Sequence, residues 1–266
     1  VLAEPERTPY DLRFRALGFP VRVHPWFWLV TVLFNGDRLL RAGPEYLLLW
    51  VAVVFVSVLV HELGHALAFR RFGARTEIVL YSMGGLAIPT HALSGRARRI
   101  AVALAGPVAG FLLCGLVYGS NAALEWGQRA DGGAANGRHL LFLYLQLVWV
   151  NLVWGLFNLL PVYPLDGGQV SRELCGMRWG TRGYRTSLRI SFVVALVIAS
   201  YSILCAIDTG EFGDRLLREL PGWLPAGSVY TAILFGCLAY VNYQLLQRIE
   251  WTDTHWVDDR VPWERQ

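Results

Sequence analysis

Two histidines four residues apart, with a glutamate directly after the first, stand at His61, Glu62 and His65 in the run HELGH. On a helix, residues at that spacing share a face, so both imidazoles can meet one metal ion. Glu62 lies about 100° around the helix from His61. It is suited to act as general base toward a metal-activated water and then as proton donor to a leaving amine. Catalytic zinc of this type takes three protein ligands and keeps one position open. The third must come from elsewhere in the chain, and Asp166, Glu77, Glu125, Glu173, His24, His91 and His139 are the candidates. Glu77 stands close to Arg75, and Glu173 beside Arg172, where each can simply be solvated. Asp166 is the strongest candidate. It ends 26 uncharged residues, Leu140 to Leu165, and precedes Gly167-Gly168. A lone carboxylate there is costly without a positive partner, although a turn aspartate before glycines is the ordinary alternative.

The element carrying the motif is unusual for it. Tyr46 to Phe69 has no charge except Glu62, and a helix of that length extends about 36 Å, enough to cross a bilayer. The whole chain is of this kind: 55% of its 266 residues are hydrophobic and only 17% charged, against about 25% in soluble domains. The apolar residues come in long blocks, which predicts a polytopic, all-α membrane protein. Six transmembrane helices are expected: Val23–Gly36 (short, needing the following residues to cross), the HELGH helix, Ile100–Tyr118, Leu140 to about Leu160, Ile190–Ile207 and Val229–Gln247. Pro161 and Pro164 should stop the fourth. Between spans, Leu17 to His24 reads as a short strand. Glu77 to Ala87 reads as a strand or hairpin broken by Gly84-Gly85 and closed by Pro89. Residues 119–138 read as a Gly/Ala/Asn-rich loop, and 208–228 as a short amphipathic surface helix. We expect one transmembrane domain over residues 1–248, its core at 20–175, and a polar tail at 249–266.

All 24 basic residues are arginines, spread over many loops, so a nucleic-acid surface is not indicated. The four cysteines show no CxxC spacing and no disulfide framework. The first 22 residues are too charged for a signal peptide. Arginine counts orient the spans: with both termini inside, the inside segments hold 18 arginines and the outside loops 6. That places the chain in a cell membrane with both termini cytoplasmic. It sets His65 roughly 7 Å and His61 roughly 13 Å below the inner boundary, the side to which the fourth span delivers Asp166. Glu125 and His139 fall on the other side.

The HELGH span, the GG-containing stretch after it, AGPVAG (residues 105–110) and NLLPVYPLDGG (158–168) occur in one order. That combination resembles the site-2 proteases, zinc metalloproteases that cut within membranes, over about residues 20–175. The absence of a PDZ insert and of room for a CBS pair is similar to the sporulation-type branch. The resemblance implies one zinc ion held by His61, His65 and Asp166, with Glu62 as the catalytic carboxylate. It implies that Asn158 contacts substrate backbone or the oxyanion, and that the stretch around Gly84 and Gly85 receives an unwound substrate by strand addition. The partners implied are a transmembrane protein substrate and the lipid bilayer, with room for a membrane regulator or a homo-oligomer. Two other functions compete. One is a membrane zinc protease of the prenyl-protein or heat-shock type, whose third ligand is a downstream glutamate. The other is a non-catalytic metal-binding membrane protein.

Overall fold

The computed structural model describes residues 5–82, 84–131, 137–206 and 229–258, with backbone only at 34–42, 121–131, 137, 181 and 250–258. The chain divides into two compact units, Val1–Leu159 and Leu160–Gln266.

The first unit opens with an antiparallel hairpin of β1 (Leu12–Ala16) and β2 (Phe19–Val23). Sequence pattern indicates only the second strand. The first forms because Leu12, Phe14 and Ala16 alternate with Arg13 and Arg15. Leu17 and Gly18, both at positive φ (50° and 85°), make the two-residue turn whose twist suits a hairpin. Two helices follow, α1 (Pro25–Ala42) and α2 (Pro44–Arg71), and then β3 (Thr76–Tyr81) and β4 (Gly84–Pro89). The helices are the crossover that a parallel pair requires. β3 lies parallel to β2 and antiparallel to β4, giving the order β1-β2-β3-β4 with β4 at an edge. Gly84-Gly85 does not break the strand. A turn at Ser82 comes first, and the glycines begin β4. Buried Phe19, Val21, Val23, Ile78 and Leu80 from the sheet pack with Phe27, Val58 and Ala66 from the helices, seating the sheet on the HELGH helix.

The unit closes with α3 (Arg96–Asp131) and α4 (Gly137–Asn158). The expected loop at 119–138 is therefore mostly helix. Ala122, Ala123, Leu124 and Glu125 are strong helix formers and outweigh Gly119 and Gly127. Helix α4 stops at Asn158, as the two prolines require.

The second unit holds α5 (Asp166–Trp179), α6 (Thr181–Ala206) and α7 (Val229–Asp258). Helix α5 has no apolar stripe long enough to announce it, and α7 runs ten residues into the expected polar tail. The buried residues of α6 are mostly small (Ser187, Ser191, Ala195, Ala199, Ser202), with Leu188 among them, and the helix packs against α7 with Phe235, Leu238, Ala239 and Asn242 buried. The amphipathic segment expected at 208–228 falls outside the described residues.

Among the described residues, five helices are long and apolar enough to cross a membrane: Pro44–Arg71, Arg96–Ser120, Arg138–Asn158, Arg182–Ala206 and Val229–Ile249. The expected sixth span corresponds to α1, which has 18 residues and carries Asp37, Arg38 and Arg41. The spans expose rows of large apolar side chains, such as Leu112 and Leu116 on α3 and Leu145, Trp149, Leu152 and Leu156 on α4. Faces of that size and polarity are what lipid covers. The chain is a multi-pass membrane protein.

Candidate metal centre and active site

Helix α2 buries His61, Glu62 and His65 together with Ser57, one turn earlier on the same face. Metal-ligand atoms of His61, Glu62 and His65 all lie within 4.8 Å of one another. The Nε2 atoms of the two histidines are 3.2 Å apart. Two nitrogens held tetrahedrally at zinc's usual bond length stand about 3.3 Å apart, so the pair already has the separation that one zinc ion demands. The ring of His65 is oriented from behind: its Nδ1–H donates to the carbonyl of Val102 on α3, at 2.8 Å. That bond fixes the tautomer and leaves Nε2 as the donor toward a metal. The donor set is zinc's, and the residues fit the ion.

Helix α3 passes directly in front of the imidazoles. A Cβ at Gly106 would overlap His65 Nε2 and lie 2.7 Å from His61 Nε2. Gly106 therefore lets the backbone of α3 pass against the two Nε2 atoms, where any side chain would displace them. Gly64, inside the motif, lets α3 come this close, because a Cβ there would strike the Ala105 carbonyl and lie 2.8 Å from the Ala109 Cβ. AGPVAG reads in sequence as a close-packing stretch, but its position over the histidines was not visible there. The signal that could have found it is a glycine in the span following HELGH.

Glu62 also abuts the sheet. A Cβ on Gly85 would overlap the Glu62 side chain, so the backbone of β4 passes directly against this carboxylate. Gly84 has φ of 116°, a conformation that glycine adopts without strain, and a Cβ there would lie 3.1 Å from the Trp154 ring. Burial and the neighbouring Glu62 charge both push the Tyr81 hydroxyl, at the end of β3, above its ordinary pKa.

The first unit thus brings together His61, Glu62, His65, Gly84 and Gly85. Asn158, the last residue of α4, donates from Nδ2 to the Trp154 carbonyl at 3.0 Å. A second asparagine, absent from the sequence expectations, is buried on the same helix. Asn151 Nδ2 donates to Ser57 Oγ at 2.9 Å and to the Leu147 carbonyl at 2.8 Å, tying α4 to α2 one turn from His61.

Asp166 belongs to the second unit. It is buried at the first position of α5, where the helix N-terminus favours a carboxylate. Of the other candidate ligands, the Glu125 side chain lies outside the described residues, and the rest have identifiable engagements. Glu77 is 3.7 Å from Arg7 and 4.0 Å from Arg22. Glu173 is buried with Arg172 at 3.8 Å. The Trp26 N–H donates to His24 Nδ1 at 3.2 Å, His139 stacks on Tyr46, and His91 is exposed beside Thr90.

A single helix, α2, thus carries a buried HELGH whose two imidazoles can meet one metal ion, and a four-stranded sheet adjoins it. Residues 49–126 and 128–201 match peptidase family M50. The chain belongs to this family, that of the site-2 proteases. It is 30% identical over 198 residues to a zinc metalloprotease of Methanocaldococcus jannaschii, covering 73% of this chain and 55% of that one. It is 27% identical over 214 residues to stage IV sporulation protein FB of Bacillus subtilis, covering 75% and 67%. The solved structure of a site-2 protease from Methanocaldococcus jannaschii has the same fold, with a TM-score of 0.53 at 23% identity over 89% of this chain and 95% of that one. The chain spans 55% of the length of the archaeal relative.

Proposed function

We propose that this protein is a zinc-dependent intramembrane protease that hydrolyses a peptide bond in or near a transmembrane helix of a membrane-protein substrate. The observation that carries this reading is the pair of histidine Nε2 atoms 3.2 Å apart on a helix of membrane-crossing length, with Glu62 beside them and an edge strand against Glu62. Bound at these residues, zinc supplies Lewis acidity, polarising a carbonyl and making water nucleophilic at neutral pH. Asp166 serves as the third ligand. Its burial at a helix start and its LDGG context support this, as do the engagements of its competitors. Glu62 takes a proton from the water as its oxygen bonds to the scissile carbonyl carbon, and then delivers that proton to the amine nitrogen as the C–N bond breaks.

A substrate helix must unwind before it can be cut, and each unpaired backbone group in lipid costs several kcal/mol. The free edge of β4, beginning at Gly84-Gly85, is suited to pair with the unwound segment and run it past Glu62. Asn158 contacts the substrate backbone or the developing oxyanion. Residues 1–248 act as one protease domain. The arginine distribution supports a cell-membrane protein with both termini cytoplasmic, the cut falling near the cytoplasmic end of the substrate span.

The test is a Glu62→Gln variant, purified in detergent and given a transmembrane reporter. It should keep zinc and lose cleavage. Undiminished cleavage by a zinc-loaded Glu62→Gln protein would refute the protease assignment.

A further inference from the structure

The segment between α4 and α5, Pro161 to Leu165, delivers the chain to Asp166. In a membrane protein such a non-helical stretch must account for each backbone group, and here every one is satisfied. Val162 N–H donates to Leu160, Leu165 N–H to Val162, and Gln169 N–H to Leu165, at 2.7, 2.8 and 3.0 Å. Gln169 Nε2 reaches the Pro164 carbonyl at 3.4 Å. The remaining three groups are met by two side chains from distant helices. Ser191 Oγ on α6 accepts from the Tyr163 N–H at 3.0 Å and donates to the Pro161 carbonyl at 3.1 Å. Asn242 Nδ2 on α7 donates to the Tyr163 carbonyl at 2.7 Å.

Both side chains are fully buried, at 0% exposure, within helices of membrane-crossing composition. Polar groups in that setting are costly and rarely idle. Their bonds converge on one residue, Tyr163, three positions before Asp166. Gly168 completes the arrangement. A Cβ there would collide with Tyr163 N and lie 2.6 Å from its Cα, so the first turn of α5 is pressed onto the clamped loop. The small face of α6 around Ser191 permits the same approach from the other side.

We infer that Ser191 and Asn242 are positioning residues that hold the Pro161–Leu165 loop, and through it fix the Asp166 carboxylate for zinc. Asn242 lies beyond residue 201, outside the stretch matched to the family. The last span thereby gains a role in the metal site. This inference rests on Asp166 being a ligand, and the experiment separates the two.

Zinc affinity is measured by competition with a chromophoric chelator on full-length, detergent-purified wild type, Ser191→Ala, Ser191→Thr, Asn242→Leu and Asp166→Asn. Amide exchange of the 160–168 segment is followed in the zinc-free proteins. Residues that orient a metal ligand typically contribute about 10–100-fold in affinity. Ser191→Ala and Asn242→Leu should weaken zinc by that factor and speed exchange in the loop. Ser191→Thr, which keeps the hydroxyl, should restore both. Asp166→Asn should weaken zinc further still. If Asp166→Asn loses zinc while folded Ser191→Ala and Asn242→Leu bind it as wild type does, the positioning role is overturned and the ligand assignment stands. If Asp166→Asn leaves zinc affinity unchanged, the ligand assignment falls and the positioning role with it. Should Asn242→Leu fail to fold, the Ser191 pair, differing by one hydroxyl, decides alone.

Discussion

Gly106→Ala is the smallest change that should abolish this site. The added carbon would sit 2.7 Å from His61 Nε2 and 2.6 Å from His65 Cε1. Comfortable contact between such atoms begins at about 3.5 Å, so the imidazole of His61 would have to retreat by about 0.8 Å and that of His65 by more. Metal–ligand distances tolerate about 0.2 Å. His65 is also held from behind by Val102, which resists the retreat. Both histidines are affected at once, so the loss of zinc affinity should exceed the about 100-fold typical of a single orienting residue. Cleavage of a transmembrane reporter should fall at least about 100-fold, the usual consequence of a misplacement approaching 1 Å. The fold should survive, because alanine is favoured over glycine in a helix interior by about 1 kcal/mol. Gly115→Ala, on the same helix with nothing within 4 Å of its added carbon, is the matched control and should bind zinc and cleave normally. The assay is zinc competition and reporter cleavage on the two purified proteins, with zinc-free unfolding to confirm the fold. A Gly106→Ala protein that binds zinc and cleaves like wild type would show that the imidazoles do not meet their metal on the α3 side.

Three further outcomes are expected. Gly85→Ala should push the Glu62 side chain aside, so zinc binding persists while cleavage drops about 100-fold; zinc titration beside a turnover assay separates the two effects. Asn151→Leu removes the bond to Ser57 and should cost about 0.6 kcal/mol and under 2 kcal/mol, the range for interhelical hydrogen bonds in membranes, read from unfolding in mixed detergent micelles. Burial alone would raise the Asp11 carboxyl, but hydrogen bonds from the Thr8 hydroxyl and N–H and from Arg22, with the Arg22 charge, hold it below the ordinary value. Its stabilisation is therefore complete above the unfolded pKa of about 3.9 and lost as pH falls through the lower folded value. Amide protection in the β1–β2 hairpin should fade below about pH 4 in wild type and be weaker but pH-independent there in Asp11→Asn.

What sequence could reveal followed the range of the interaction concerned. HELGH was legible because one helix of fixed pitch sets the spacing of His61 and His65. The apolar blocks were legible because lipid enforces them residue by residue. Gly106 was visible only as one small residue in AGPVAG, since the rotational phase between two helices is decided by packing along both. The meaning of Gly84-Gly85 was half visible. Glycines in a β-prone run look like a break, and only the seating of the sheet on α2 shows that Gly85 is bare because Glu62 occupies the space. Helix α5 escaped notice because its arginines hide a short polar helix whose buried residues include Asp166, Gly167 and Gly168. The clamp on Tyr163 could not be read at all, since Ser191 and Asn242 lie 28 and 79 residues away.

These long-range features have a common physical origin. In water, a metal face can be left open to solvent at little cost. Inside a close-packed helix bundle any space is filled by a neighbouring side chain unless the neighbour has none. Three glycines on three elements do this here: Gly64 admits α3, Gly106 stops short of the imidazoles, and Gly85 leaves room for Glu62. The bare backbone of Gly106 facing two buried imidazoles ties the chemistry of HELGH to residues that carry no chemistry themselves.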